Sequence, residues 1–422
     1  MNEISRRTIC DGVYFNSISD DKFKTIRLSV TMFLPLLKEN AAVNAIVPNI
    51  LTRTCAKYPD FTALNKRLCE LYGAMLTAGF RKTGEVHSLT VSIAGLDDRY
   101  VMNNDKISSA LAELLINIIF EPKLIDGAFC SEDLEQERRQ LIDLIDSEFN
   151  EKRIYAANRC LEIMCKDEAF GISRYGSREA VEKLTLSDVY EGWQRLLKNS
   201  RMEIMVLGGS DSDAVFDSFK NAFNNINRVV TPFGTETVRT AKEAKSEIEK
   251  TEVTQSKLVM GFRAGVSEPD DDVMATRLMT SVLGGTPSSK FFLNIREKQS
   301  LCYYCSARYD RNKGIILVES GVETENIEKV KNAVLTELKA MQDGEISNFE
   351  IEAAKLAVAN GFNSMSDTLG GMEAWYISQM LDREQLSPKE AAEQINAVTK
   401  EQIIAAANKV TLDTVYMLCP KD

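Results

Sequence analysis

One histidine, His87, serves a chain of 422 residues. A Ser/His/Asp triad, a Cys/His dyad, a His-rich zinc site or a histidine acid/base pair would have only that residue to use. His87 shares its parity with Leu89, Val91 and Ile93, so a strand over residues 86–93 would place all four on one face. It reads as a structural histidine.

Positive charge is also in deficit. Lys and Arg number 51 against 62 Asp and Glu, a net charge of −11, and bulk electrostatics therefore offers nothing to nucleic acid or an anionic membrane. The acidic excess reads as solvated helix faces. Nowhere do eighteen apolar residues run together, and Arg6 and Arg7 are followed by no apolar stretch, so neither a membrane span nor a leader is expected. The expectation is a soluble cytoplasmic protein. The nine cysteines are odd in number and scattered, which suits reduced thiols better than a disulfide framework. Cys302 and Cys305 do form a C-x-x-C, but in an apolar, aromatic stretch that reads as a strand pointing them to opposite faces; a redox or metal role is the lesser alternative. Only nine prolines, with 44% hydrophobic and 27% charged residues, mark an ordinary globular chain, long enough for two large domains.

The chain carries an internal duplication. Thr185 is placed to cap a helix running to Leu197, followed by an apolar strand at 202–207; Thr399 repeats this before a strand at 414–419, and Thr399 with Gln402 makes a capping box. The two threonines are 214 residues apart, about half the chain. Ser131 and Ser347, each preceding a helical run, are 216 residues apart and support the same register. A softer match sets Arg81 to Gly84 and the strand after it against Arg311 to Gly314 and its strand. The fold expected is α+β: two homologous halves, each a largely antiparallel sheet covered by helices, in a clam-shell arrangement with a ligand cleft between them. The expected division is 1–226, a polar linker at 227–254, and 255–422.

Residues 283–303 contain a glycine turn, Gly284-Gly285, then Ser288-Ser289, a helix expected to start near Pro287, the run Leu293-x-x-Arg296-Glu297-Lys298, and a return strand with Tyr303 seven residues after Arg296. The glycines lack the spacing of a phosphate loop. This segment, with the duplicated halves and the Gly208-Gly209 turn, resembles the pitrilysin/insulinase family of metallopeptidases, which includes the mitochondrial processing peptidases and the respiratory-chain core proteins. The resemblance spans the chain. It implies that Arg296 and Tyr303 bind substrate, a guanidinium fork and a phenol being suited to hold a peptide carbonyl or its developing oxyanion.

The resemblance also locates what is missing. Catalytic members carry His-x-x-Glu-His on an early helix and a distal glutamate, which hold zinc with water as the fourth ligand. Here the corresponding positions are Asn44, Val47, Pro48 and, for the distal ligand, Leu144. Glu137 matches a family glutamate that precedes the distal ligand and reads as a structural or solvated helix residue. Pro48 conflicts with a helix interior unless the helix starts there. The resemblance therefore implies no catalytic residue, metal or cofactor in this chain, with zinc expected in a partner. Two readings follow: a non-catalytic subunit that lends Arg296 and Tyr303 to a sister carrying His-x-x-Glu-His, or to a homodimer, acting on peptides; or a scaffold or peptide-binding protein with no role in hydrolysis. A carboxylate-pair hydrolase is a remote third, since nothing in the sequence selects a pair.

Overall fold

The computed structural model describes residues 4–102, 105–209 and 212–421, and within them strands form two sheets. The first contains β1 (Ser5–Cys10), β2 (Val13–Ser19), β3 (Thr25–Pro35), β4 (Met75–Thr83), β5 (Val86–Leu96) and β6 (Arg201–Gly208), in the order β1-β2-β6-β3-β5-β4. The second contains β7 (Lys245–Thr251), β8 (Ser256–Arg263), β9 (Cys302–Asp310), β10 (Ile315–Val322) and β11 (Thr411–Pro420), in the order β7-β11-β8-β10-β9. With β1 set aside, the two orders coincide strand for strand. Each sheet even has one parallel pair at the same place, β2 with β6 and β7 with β11, among antiparallel neighbours. The β4–β5 and β9–β10 hairpins turn through glycines in the left-handed region, Gly84 at φ 54° and Gly314 at φ 68°. The duplication and the α+β architecture of helix-covered sheets are therefore present.

Local capping chemistry sets the helix starts. Thr185, Ser347 and Thr399 each accept a hydrogen bond from the backbone N–H three residues on, and Asp188, Glu350 and Gln402 reach back to complete capping boxes. Such a cap contributes about 1 kcal/mol. Helix Ser131–Asn150 begins at the serine expected to precede it.

The chain forms two compact units, and they interleave along the sequence. One comprises Met1–Ile145, Ile172–Gly234 and Asp367–Met380; the other comprises Asp146–Gly171, Thr235–Ser366 and Leu381–Asp422. The continuous division at 227–254 differs from this in two ways. First, β7 lies inside the segment read as a linker. It is the counterpart of β2, but β2 has a neighbour on each side, whereas β7 is an edge strand with mostly exposed, charged side chains. Such a strand carries no apolar alternation to reveal it. Second, the helices Lys152–Met164 and Leu369–Ile377, which start 217 residues apart in the register of the duplication, each pack on the sheet of the opposite sequence half. Ala156, Ala157 and Cys160 bury against Val259, Leu317, Tyr416 and Leu418 of the second sheet. On the first sheet, Arg27 donates from Nε to Glu373 at 2.7 Å.

The two faces of the first sheet differ in character. Ile26, Leu28, Val30, Met32 and Leu34 on β3 alternate into a core shared with Leu89, Val91, Ile93, Ile46, Leu111, Leu115 and Trp193. His87 lies on this apolar side, paired with Leu34, fully buried and edge-on to Phe80. The opposite face is polar: Thr31 bonds Thr90, Arg27 bonds Ser92, and Arg6 and Arg201 converge on buried Glu203. Among the described residues, no helix is long and apolar enough to cross a membrane.

Candidate functional site

Three of the four positions implied for a metal lie on or beside the core of the first unit. Asn44, Val47 and Pro48 belong to helix Lys38–Leu51, and all three are buried. Pro48 stands inside this helix, contrary to the expectation that the helix would have to start there. Its place in the last turn limits the damage: the ring removes the donor that the Asn44 carbonyl would receive, and the helix ends three residues later. Leu144, on helix Ser131–Asn150, is exposed.

What faces Asn44 was not anticipated. Arg195, from helix Leu186–Asn199, donates to Asn44 Oδ1 at 3.1 Å, while Asn44 Nδ2 and Arg195 Nε are buried without hydrogen-bond partners. Burial pushes the Arg195 guanidinium below its ordinary pKa, with Glu191 and Glu39 opposing that shift. No signal in the sequence marks this arginine, because its contact spans 151 residues. Glu137 is buried and accepts from Arg53 Nη1 at 2.9 Å, while Arg53 Nε reaches Asp133 at 2.6 Å. Of the structural and solvated readings, its burial and its pairing with Arg53 fit the structural one.

These residues do not fit zinc. Valine, proline and leucine have no donor atom, and the one amide oxygen is already held by a cation that would repel a second. Among the described residues, no three His, Cys, Asp or Glu side chains gather as a metal set.

The second unit holds Arg296 and Tyr303. Gly284 breaks the preceding helix at φ −158°, ψ 15°, and a Cβ there would meet the Ala307 nitrogen at 2.7 Å, so glycine lets the turn lie against β9. The next helix is π-wound over Phe291–Lys298, four residues later than expected from Pro287. Lys290 anchors its start through a 3.0 Å ion pair to Glu350. Arg296, in the last turn, stacks over Phe292 with its guanidinium carbon 4.6 Å from the ring centroid and lies 3.6 Å from Glu297.

Tyr303 sits at a break in strand register. Val322 pairs with Cys302 and Gly321 with Tyr304, so Tyr303 has no partner on β10 and bulges outward, 61% exposed. Its hydroxyl donates to Glu323 Oε1 at 2.9 Å, and that bond raises the phenol pKa.

The same bulge overturns the expectation that Cys302 and Cys305 point to opposite faces. One extra residue shifts the alternation, so the two stand opposite Val322 and Ser320, on one face. Cys302 is half-buried and Cys305 buried. Hydrogen bonding with Cys305, then with Ser320, and the charge of Arg296 lower the Cys302 thiol to about 7, against the opposing effect of burial. Cys305 is raised by its hydrogen bond to Cys302 and by desolvation.

Known proteins resemble this chain in both sequence and fold. Residues 183–358 match the family described as the Peptidase M16 inactive domain. The chain is 29% identical over 407 residues to the probable inactive metalloprotease YmfF of Bacillus subtilis, with 96% of each chain covered. An uncharacterized zinc protease of Streptomyces coelicolor is 23% identical over 290 residues, covering 66% of this chain and 62% of that one. Among solved structures, a conserved protein from Enterococcus faecalis superposes with a TM-score of 0.92 at 26% identity over 99% of both chains. A protease from Helicobacter pylori shares the fold, with a TM-score of 0.78 at 13% identity over the whole of both chains.

Proposed function

We propose that this chain is an inactive member of the M16 peptidase family and serves as the non-catalytic subunit of a zinc-dependent peptidase, a reading supported by its match to the M16 inactive domain and its likeness to YmfF. In this reading Arg296 and Tyr303 hold a peptide carbonyl, or the oxyanion that develops from it, against zinc carried by a sister subunit with His-x-x-Glu-His. A second copy of this chain cannot take the sister's catalytic part, since it has the same Asn44, Val47 and Pro48. The complex is taken to work in the cytoplasm on peptide substrates.

The observation that carries this reading is a contrast in exposure. Three of the four positions that the resemblance assigns to metal are buried, Asn44 among them held by Arg195, whereas Arg296 and Tyr303 still present polar groups to solvent. A scaffold role is the second reading, favoured by the local partners these groups have: Tyr303 bonds Glu323 and Arg296 stacks on Phe292.

Co-expression with the zinc-bearing sister from the same genome separates the two. Arg296→Ala or Tyr303→Phe should lower peptide turnover by the complex about tenfold to hundredfold, the range of lost oxyanion donors. Unchanged turnover in both variants would leave the scaffold. If this chain, purified alone, bound one zinc and cut peptides, both readings would fail.

A further inference from the structure

We propose that Cys302 and Cys305 form a reversible disulfide by exchange with a low-molecular-weight disulfide, making this bulge an oxidation site beside the Arg296 and Tyr303 side chains. Strand register brings the pair together. A regular strand would separate cysteines three apart onto opposite faces, but the residue inserted at Tyr303 brings both thiols to one face of β9, the strand that packs against the Phe291–Lys298 helix, opposite Val322 and Ser320. The two thiols also differ as an attacking and a resolving cysteine must. Cys302 is partly open to solvent and lies in the field of Arg296, whereas Cys305 is enclosed. No other cysteines in the chain stand three apart.

The exchange balances without further reagents. The Cys302 thiolate attacks one sulfur of the small disulfide, forming a mixed disulfide and expelling one thiolate. Cys305 then attacks the Cys302 sulfur and expels the second, its proton passing to the leaving thiolate. Two electrons leave the cysteine pair and two small thiols are released. The product is a ring closed around Tyr303, locking the bulge that sets this side chain outward. Its effect on peptide handling rests on the function proposed above; formation of the bridge does not.

Glutathione disulfide serves as the probe on the full chain, followed by alkylation in denaturant and peptide mapping. The expected wild-type product has Cys302 and Cys305 joined, unalkylated until dithiothreitol is added. Cys305→Ser should instead hold one glutathione on Cys302, and Cys302→Ser should leave Cys305 free. Alkylation of wild-type Cys302 should follow a pH midpoint near 7, and Arg296→Ala should move it upward. Persistence of the mixed disulfide in the wild type, or alkylation of both cysteines after treatment, would overturn the proposal. A bridge that forms while peptide turnover by the complex is indifferent to it would leave the oxidation site standing and count against the role of Tyr303.

Discussion

The Lys38–Leu51 helix and the Phe291–Tyr303 segment show two fates of polar chemistry in one duplicated fold. In the first, the positions that the resemblance assigns to metal are packed: Val47 and Pro48 are buried, and Asn44 is bonded by Arg195. In the second, Arg296 and Tyr303 remain exposed and are tethered only locally, Arg296 by Phe292 and Glu297 and Tyr303 by Glu323. Titration separates the two units in the same way. His87 is enclosed with neither ring nitrogen bonded, and desolvation, with a smaller contribution from Lys82, lowers its pKa to about 4. Cys302 is only half-buried, and its partners favour the anion. Burial without partners silences a titratable group, and partial burial with partners makes it reactive.

This contrast is broken most severely by restoring charge to the first region. Val47→Glu places a carboxylate in a site only 1% exposed and is expected to cost about 3–5 kcal/mol in urea unfolding. A cost below about 1 kcal/mol would show that Arg195 can turn to receive an anion, and the site would then be less closed than its packing indicates.

Acid gives the next largest effect. Because the His87 pKa is about 4 in the folded chain against an ordinary value of 6.5, the unfolded chain binds more protons between those values, and stability falls as pH drops through that window. The loss from this residue approaches about 3 kcal/mol near pH 4 and is absent above about pH 7. Comparing the pH dependence of unfolding for wild type and His87→Phe isolates it; parallel curves would contradict a buried neutral imidazole.

Arg195→Met should cost about 1–3 kcal/mol by leaving the Asn44 oxygen unbonded. Adding Asn44→Leu should recover most of that loss, which a double-mutant cycle would measure. The smallest effects belong to the other region. Arg296→Ala and Tyr303→Phe should each change stability by less than about 0.5 kcal/mol, because both side chains face solvent. A larger loss would make them structural and erase the contrast from that side.

Much of the fold was legible because its signals are local. Thr185, Ser347 and Thr399 act within three residues of themselves, and the apolar parity of β5 and the apolar run of β6 follow from their having a neighbouring strand on each side and a core against one face. The absence of donor atoms at Val47, Pro48 and Leu144 was equally plain, since a residue type declares its donor atoms wherever it lies. The edge strand β7 was hidden for the converse reason: with one neighbouring strand and solvent-facing side chains, it has a linker's composition.

The chain by itself therefore determined the duplicated α+β plan, the capped helix starts at Thr185, Ser347 and Thr399 and the absence of donor atoms at Val47, Pro48 and Leu144, all of which depend on residue identity and short-range spacing. Tertiary structure alone decided which sheet the helices Lys152–Met164 and Leu369–Ile377 cover, that Arg195 meets Asn44, and that Cys302 faces the same way as Cys305. The physical reason is the same in each case. A side chain's partner is set by packing between segments far apart in sequence, and one residue of slippage against a neighbouring strand reverses the face it occupies.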